Sequence, residues 1–183
     1  MAARLIEKYR NEVRPALKER FGYTNPMAYP RLKKIVISMG LGDADRETAK
    51  LEAAQKHLAM IAGQQPVITK ARKSVSNFRL RAGMNVGLKV TLRGTRMYEF
   101  FDRLVSLAIP RVKDFRGLNP SSFDGRGNYN MGLQEQSVFP EIDPVSITFT
   151  QGMNLTFETS AETDEEAREL LAAMGMPFRR DER

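Results

Sequence analysis

The chain has 183 residues, of which 42% are hydrophobic and 28% are charged, and this composition is typical of one folded domain with a sizeable buried core. It contains no cysteine and a single histidine, His57, which excludes thiol nucleophiles, cysteine-based zinc or iron–sulfur sites and disulfides. Because no apolar run is long enough to cross a bilayer and the N-terminal residues are charged, we expect a cytoplasmic protein with no membrane contact.

Charge is unevenly distributed along the chain. Lys and Arg number 29 against 22 Asp and Glu, which gives a formal net charge of +7. Residues 53–98 contain nine bases and no acid, whereas residues 135–183 contain 11 acids and 4 bases. A carboxylate would repel a phosphate, so a basic stretch without acids favours a surface that faces a polyanion. A scattered, solvated set of charges is the alternative interpretation.

Hydrophobic periodicity and turn residues predict ten segments. The first four are a helix over 3–21 that is kinked or restarted at Pro15, a strand over 33–39 that ends at Gly40, a helix over 51–61 closed by Gly63, and a short strand over 67–69. An exposed basic loop over 71–85, an alternating strand over 87–93, an apolar helix over 97–107 stopped by Pro110, and a long loop over 111–137 follow. The last two are a hairpin of 145–150 with 153–159 and a C-terminal helix with a capping box from Thr163 to Glu166 and Gly175 after its end.

This order of elements predicts the fold class. Hairpins with few β-α-β units indicate an α+β fold, a single mostly antiparallel sheet with helices packed on one face. The other face of the sheet then meets water or a ligand, and the acid-free basic stretch 53–98 favours a polyanion such as RNA as that ligand. We interpret residues 1–183 as one RNA-binding domain in which the Gly- and Asn-rich loop at about 111–137 is functional and becomes ordered on a partner.

No pattern in the sequence is typical of a catalytic or cofactor site. Gly40 and Gly42 lack the third glycine of a dinucleotide-binding turn, and Asp43 and Asp45 would repel its pyrophosphate. The acidic run 164–166 is better explained by capping and the helix dipole than by metal binding. We therefore expect a protein that is not an enzyme and that holds no metal or cofactor.

The stretch 69–81 has the composition of a nucleic-acid contact. It combines cations that neutralise phosphates with hydroxyl and amide groups that bond sugar or phosphate oxygens, and with Phe78, which could stack on a base or pack as an anchor of the loop. The strand that follows places three polar side chains on one side, opposite Leu88, Val90 and Leu92. The proposed RNA surface comprises this strand side, Lys89, Thr91 and Arg93, and the loop residues Lys70, Arg72, Lys73, Ser74, Phe78, Arg79 and Arg81.

Five stretches resemble, in order and at consistent spacing, the bacterial form of large-subunit ribosomal protein five, the family that binds 5S rRNA. The resemblance covers the chain from about residue 5 to Arg180, and the stretches are 69–74, 89–94, 114–117, 122–129 and 139–142. It implies an α+β structural constituent of the large ribosomal subunit, with 5S rRNA, 23S rRNA, the P-site tRNA and small-subunit ribosomal protein thirteen as partners and with no small-molecule substrate.

The resemblance also implies roles for particular residues. The surface for 5S rRNA would include Lys34, Ser38, Gln64, Lys89, Thr91 and Arg93. The loop from Lys70 to Arg81 would approach the P-site tRNA. Contacts with neighbouring rRNA or with the intersubunit bridge would come from the region 111–146, through Arg111, Lys113, Arg116 and Arg126. Ser38 stands where the family usually has Asn, so its side chain is shorter and has one donor fewer.

Two other functions compete with a structural ribosomal role. An RNA-modifying or RNA-cleaving enzyme would need acid–base groups beside the basic surface, yet residues 53–98 contain no carboxylate and only His57. A free-standing adaptor would use the acidic C-terminal helix to bind a basic protein. Purification with and without nuclease separates these alternatives, because a ribosomal protein captures 5S rRNA.

Overall fold

The computed structural model describes residues 4–42, 48–144, 147 and 149–179. Its regular elements, in chain order, are α1 (Arg4–Lys8), α2 (Arg14–Phe21), β1 (Leu32–Gly40), α3 (Thr48–Ala62), β2 (Val67–Lys70), β3 (Asn85–Leu92), α4 (Gly94–Arg103), β4 (Tyr129–Leu133), β5 (Met153–Thr159) and α5 (Asp164–Ala173).

The strands form one open antiparallel sheet in the order β2-β3-β1-β5-β4. The α+β class predicted from the sequence is therefore confirmed. Strands β2 and β3 form an antiparallel pair in which Val67 is opposite Lys89 and Thr69 is opposite Gly87. In β1, β3 and β5, buried residues alternate with more exposed ones, so each of these strands has an apolar side and an open side.

The chain divides into two compact units. The first unit comprises residues 1–35, 92–131 and 156–183, and the second comprises residues 36–91 and 132–155. Aromatic residues of the first unit include Phe101 and Phe157, which are fully buried with their rings edge to face and their centroids 5.8 Å apart. The second unit buries aliphatic side chains of α3, β1 and β3, among them Leu58, Ile61, Ile37, Met39 and Leu88.

The N-terminal helix continues through Pro15. Tyr9–Val13 form a π turn between α1 and α2, and the Arg14 N–H donates to the Tyr9 carbonyl five residues back. Proline has no N–H and its ring crowds the carbonyl four residues before it. The wider turn changes the hydrogen-bond register directly before the proline, and the backbone stays helical on both sides. The interruption expected at Pro15 is therefore a π turn.

The same arrangement precedes Pro110. Leu104–Ala108 form a π turn after α4, and a 3₁₀ turn over Ile109–Arg111 includes the proline, so the helical segment continues past the predicted end at 107 and ends directly after Pro110. The periodicity of the helix predicted over 97–107 places its last residue, Leu107, on the apolar face, and this was wrong because Leu107 is 48% exposed. A π turn adds a residue to one helical turn, and the spacing that placed Leu107 on the buried face no longer holds.

The glycines predicted after α3 and α5 are confirmed, and the capping box predicted at α5 is confirmed for Thr163, whereas the Glu166 carboxylate accepts from the Glu162 N–H, one residue before the N-cap. Gly63 follows α3 with φ +62° and its N–H donates to the Ala59 carbonyl at 2.9 Å. At the start of α5, the Thr163 hydroxyl accepts from the Glu166 N–H at 3.4 Å. After its end, Gly175 has φ +108°, a conformation that glycine adopts without steric cost.

The long loop expected at 111–137 contains a strand, so that expectation needs correction. Tyr129–Leu133 form β4, with Tyr129 and Leu133 buried, Met131 half-buried and Asn130 and Gly132 exposed. A 3₁₀ turn follows at Gln136–Val138. The alternation was present in the sequence, but Asn and Gly have low strand propensity and concealed it.

The predicted hairpin was assigned to the wrong first strand. Strand β5 lies between β1 and β4. Of residues 145–150, the structure describes Ile147, Phe149 and Thr150, and none of these lies in a strand; positions 145, 146 and 148 are outside the described residues. The buried Gln136 side chain donates to the Phe149 carbonyl at 2.7 Å and accepts from the Gln151 N–H. A side-chain amide thus bonds backbone groups that a strand partner would otherwise bond.

Candidate nucleic-acid interface

Strand β1 places Lys34 and Ser38 on its open side. The intervening residues Ile35 and Ile37 are fully buried, whereas Lys34 and Ser38 are half-buried. Because successive side chains of a strand point to opposite faces, the two predicted rRNA-binding residues of β1 share one side of the strand.

Strand β3 has the two sides that its alternation predicted. Leu88, Val90 and Leu92 are buried, whereas Lys89 is exposed and Thr91 is half-buried. Arg93 follows the strand with an extended backbone, φ −140° and ψ 161°, and is exposed. The alternation therefore continues to Arg93.

Strand β2 adds to the open side of β3. Val67 and Thr69 pair with Lys89 and Gly87, and directly paired residues of antiparallel strands point to the same side. Val67 is 68% exposed, so an apolar side chain lies next to the cation of Lys89. Gln64 lies in the turn that precedes β2 and is half-buried.

The loop between β2 and β3, residues 71–84, is an ordered extension of the β2–β3 hairpin. Val75 and Leu80 exchange backbone hydrogen bonds of 2.9 and 3.1 Å, and the Ala71 N–H donates to the Met84 carbonyl at 2.8 Å. The Ser74 hydroxyl accepts from the Ala82 N–H at 3.0 Å. At the tip, Ser76–Phe78 form a 3₁₀ turn that ends at Arg79 with φ +52°. The sequence predicted an exposed loop but not these internal bonds.

The polar and aromatic groups of this loop are turned outward. Phe78 is 76% exposed, so it does not pack on the protein as a loop anchor. Of the two interpretations of Phe78, stacking on a base therefore stays a prediction. The cationic side chains of the hairpin are all exposed and form no ion pair with a described carboxylate; they are Lys70, Arg72, Lys73, Arg79 and Arg81. Ser74, in contrast, already has its hydroxyl bonded to the backbone within the loop.

Lys34 has an acidic partner, in contrast to the other predicted cations within the part of the chain that the structure describes. Its Nζ lies 2.7 Å from a carboxylate oxygen of Glu158, and both side chains are largely shielded, at 27% and 36% exposure. Nearby on the open sides of β4 and β5, the Thr156 hydroxyl donates to the Asn130 side-chain oxygen at 2.7 Å. A phosphate that approaches Lys34 would have to compete with Glu158.

The four cations predicted in the segment 111–137 are exposed, and one of them lies in a tightly bonded turn. The Asp164 carboxylate accepts from the Gly125 N–H at 3.0 Å and from the Gly127 N–H at 2.8 Å, one bond on each side of Arg126. Asp124 accepts from the N–H groups of Arg126 and Asn128 and from the Asn128 side chain at 2.7 Å. These bonds hold the pKa of Asp124 below its usual value. The exposed cations are Arg111, Lys113, Arg116 and Arg126.

Sequence reasoning missed the function of Asp164 in this turn. It explained the carboxylate by its position in the first turn of α5, where negative charge is favourable. The signal was present in Gly125 and Gly127, because both adopt positive φ and both present an N–H to the same carboxylate. A carboxylate 37 residues away cannot be paired with them from local sequence alone.

Neither a metal cluster nor a membrane-spanning helix is present in the described part of the chain. No group of three or more His, Asp or Glu side chains there is placed to hold a metal ion. No helix there is long and apolar enough to cross a membrane.

The fold and the exposed cations define an α+β protein with a surface suited to a polyanion. The sequence matches two family models, one described as ribosomal protein L5 over residues 25–81 and one as the ribosomal L5P family C-terminus over residues 85–178. The chain belongs to this family of large-subunit ribosomal proteins, a structural family without enzymatic activity, and the predicted cytoplasmic location on the large subunit is confirmed by that membership.

Curated relatives match over nearly their whole length. Large ribosomal subunit protein uL5 of Carboxydothermus hydrogenoformans is 59% identical over 177 residues, which cover 97% of this chain and 99% of the relative. The proteins of the same name from Rubrobacter xylanophilus and Alkaliphilus metalliredigens are each 57% identical and cover 97% and 96% of this chain and 98% of their own length.

Proposed function

We propose that this ribosomal protein binds 5S rRNA through the open sides of β1 and β3. The observation that carries the proposal is the separation of the two sides of β3, because Lys89, Thr91 and Arg93 face away from the buried Leu88, Val90 and Leu92. These side chains can contact RNA without disturbing the core. Ser38 and Gln64 extend the proposed surface, whereas Lys34 contributes less because Glu158 neutralises it.

Salt dependence tests whether phosphate contacts drive this binding. Each phosphate contact releases counterions, so about five contacts give a slope of log affinity against log salt of roughly −3.5 to −4.5. The measurement is filter binding of the full chain to a 5S rRNA transcript at several salt concentrations. A slope near zero would remove the electrostatic basis of the proposal.

A matched pair of variants tests the assigned surface. Arg93→Ala removes an exposed cation of the proposed site, and Lys56→Ala removes an exposed cation of α3 outside it. We expect Arg93→Ala to weaken 5S binding and to reduce the steepness of the salt slope by about 0.7–0.9, as for one lost phosphate contact. Equal effects of the two variants would show that net charge matters and position does not.

The β2–β3 hairpin loop is the part of the proposal that concerns tRNA. Its own backbone bonds hold it in shape, and its tip presents Phe78 and Arg79 to solvent. We propose that Lys70, Arg72, Lys73, Ser74, Phe78, Arg79 and Arg81 contact the P-site tRNA. Replacing Lys70, Arg72 and Lys73 together by Ala then leaves most 5S affinity intact and impairs tRNA binding in the P site of assembled ribosomes.

The outcome separates one site from two. A loss of 5S affinity as large as that of Arg93→Ala would make the loop part of a continuous 5S site and would refute its assignment to tRNA. We further propose that Arg111, Lys113, Arg116 and Arg126 contact 23S rRNA or small-subunit ribosomal protein thirteen across the intersubunit bridge. Their exposure supports this role, and crosslinking from each position in assembled ribosomes tests it.

A further inference from the structure

The N-terminal helical segment, residues 4–21, carries four arginines in two different situations. Arg4 forms an ion pair with Asp102 at 2.6 Å, and Arg20 forms one with Glu169 at 2.6 Å. Between them, Arg10 and Arg14 form no ion pair with any carboxylate of the described residues. The inner arginines therefore retain their full charge for another partner.

Arg14 is held in a fixed orientation. Its guanidinium carbon lies 5.0 Å from the centroid of the Tyr29 ring, and its Nη2 donates to the Pro26 carbonyl at 3.2 Å. Stacking on the ring restrains the plane of the guanidinium. Because a guanidinium has five N–H donors, one bond to a carbonyl leaves others for a ligand.

The segment that supplies Tyr29 also fixes Arg31 beside this helix. The Tyr9 hydroxyl donates to the Pro30 carbonyl at 2.8 Å. The Arg31 N–H donates to the Ser160 hydroxyl, and the Arg31 carbonyl accepts from the Ser160 N–H, both at 2.9 Å. The backbone of Arg31 is thus bonded on both sides, while its side chain is exposed.

The three arginines lie around Tyr9, which directly precedes Arg10 in the helical segment and bonds the carbonyl directly before Arg31. Burial raises the pKa of Tyr9, and the charges of Arg14 and Arg31 oppose that rise. Burial likewise raises the pKa of Tyr98, and there the opposing charges are Arg31 and Arg10. The hydroxyls of Tyr9 and Tyr98 also influence each other, so one pair of neighbouring phenols lies within reach of all three cations.

Two carboxylates of the first unit, Glu162 and Glu166, act on a different tyrosine. Burial raises the pKa of Tyr23, and the Glu166 and Glu162 carboxylates raise it further. Tyr23 thus lies near carboxylates, whereas Tyr9 and Tyr98 lie near guanidinium groups. Arg10, Arg14 and Arg31 form no ion pair with a described carboxylate, although the helical segment also carries Glu7 and Glu12.

We propose that Arg10, Arg14 and Arg31 form a second rRNA-binding site that contacts the phosphodiester backbone. It shares no residue with the surface proposed for 5S rRNA or with the hairpin loop. Planar guanidinium groups bind phosphate oxygens in pairs of hydrogen bonds, and Arg10 and Arg31 are exposed, which suits an extended polyanion better than a small enclosed anion. Membership in a large-subunit ribosomal family makes rRNA the polyanion that this site meets.

The helix itself offers a matched control. The variant Arg10→Ala/Arg14→Ala removes the two unpaired arginines, and Arg4→Ala/Arg20→Ala removes the two paired ones, with the same change in net charge. Filter binding of each full chain is measured with a 5S rRNA transcript and separately with a 23S rRNA transcript at several salt concentrations. The first variant loses two phosphate contacts, so we expect the negative slope of log affinity against log salt to become less steep by about 1.4–1.8 with one of these RNAs.

The RNA with which the effect appears identifies the source of the phosphates. The paired-arginine variant is expected to change the slope by much less with both RNAs. Equal changes from the two variants, or no change from the first variant with either RNA, would overturn the proposal. Arg93→Ala tests the 5S surface separately, so failure of one site is distinguishable from failure of the other.

A single variant outside the helix keeps the proposal testable if the double variants do not fold. Arg31→Ala leaves α1 and α2 unchanged, and Arg179→Ala removes another exposed arginine of the same unit. We expect Arg31→Ala to reduce the slope by about 0.7–0.9 and Arg179→Ala to leave it unchanged. Equal slopes for these two variants would also overturn the proposal.

Discussion

The variant Asp164→Ala tests how much the hydrogen bonds of the Asp164 carboxylate stabilise the turn around Arg126. The variant removes the acceptor of two backbone N–H groups, of which that of Gly127 is buried and that of Gly125 is exposed. A buried donor left without a partner costs about 1–3 kcal/mol, whereas an exposed one is rehydrated at little cost. Loss of a negative charge in the first turn of α5 adds about 0.3–1 kcal/mol. We therefore expect the free energy of unfolding to fall by roughly 1.5–4 kcal/mol.

Glu165→Ala is the control for this variant. Glu165 lies in the same turn of α5 and is exposed, so its removal is expected to cost only the helix-dipole contribution of about 0.3–1 kcal/mol. Urea denaturation followed by circular dichroism gives both free energies of unfolding. Trypsin cleavage after Arg126, measured by mass spectrometry on the isolated protein, reports the turn itself and is expected to accelerate in Asp164→Ala but not in Glu165→Ala.

Two results would refute this reasoning. Equal destabilisation by the two variants would show that the carboxylate contributes through its charge alone. Rapid cleavage after Arg126 in the unmodified protein would show that the turn is not held in isolation, as the sequence alone led us to expect for residues 111–137. In that case order in this segment would have to come from rRNA or a partner protein.

Three further predictions concern the folded state. Val90→Asp is expected to unfold the protein by burying an unpaired charge, whereas Thr91→Ala is expected to leave thermal stability nearly unchanged; similar melting temperatures would contradict the assigned sides of β3. Burial lowers the pKa of His57, so the unfolded chain takes up its proton first and stability falls as the pH drops below about 6.5; His57→Leu is expected to lose this part of the decrease in melting temperature. A Cβ on Gly87 would lie 2.3 Å from the Met39 carbonyl oxygen, whereas one on Gly132 would lie 3.6 Å from its nearest neighbour; Gly87→Ala is therefore expected to be clearly more destabilising in urea than Gly132→Ala.

Local periodicity was sufficient for the elements that carry the proposed 5S surface. The alternation of β1 and β3 and the turn residues around α3 and α5 depend on neighbours within a few positions. The bounds of β1 and β3 were predicted within one or two residues, and α3 begins three residues earlier than predicted. The two prolines in helical segments were recognised, but the π turns before Pro15 and Pro110 were not. A proline predicts that the helical bonding changes, and tertiary packing decides whether the helix ends.

The last pair of strands shows where local propensity misleads. The stretch 145–150 is rich in strand-forming residues, and 129–133 is interrupted by Asn130 and Gly132. The sheet nevertheless takes Tyr129–Leu133 as β4. Strand propensity measures the fit to a half-buried surface, which is supplied by the partner strand and not by the strand's own sequence. The buried amide of Gln136, which bonds the backbone at Phe149 and Gln151, is a tertiary arrangement that no window of sequence displays.

Some properties of the candidate interface follow from composition, and others depend on which charged side chains form ion pairs in the folded chain. Absence of acids over residues 53–98 is a property of the sequence, and it correctly indicated that the hairpin-loop cations have no acidic partner among the described residues. Lys34 and Arg10 lie outside that window, where the composition is mixed. Only the fold shows that Glu158 neutralises Lys34 whereas Arg10 forms no ion pair with a carboxylate of the described residues. A phosphate that binds a paired cation has to compete with the carboxylate, so the ion pairs of the folded chain, as well as its net charge, determine which residues are worth testing for RNA contacts.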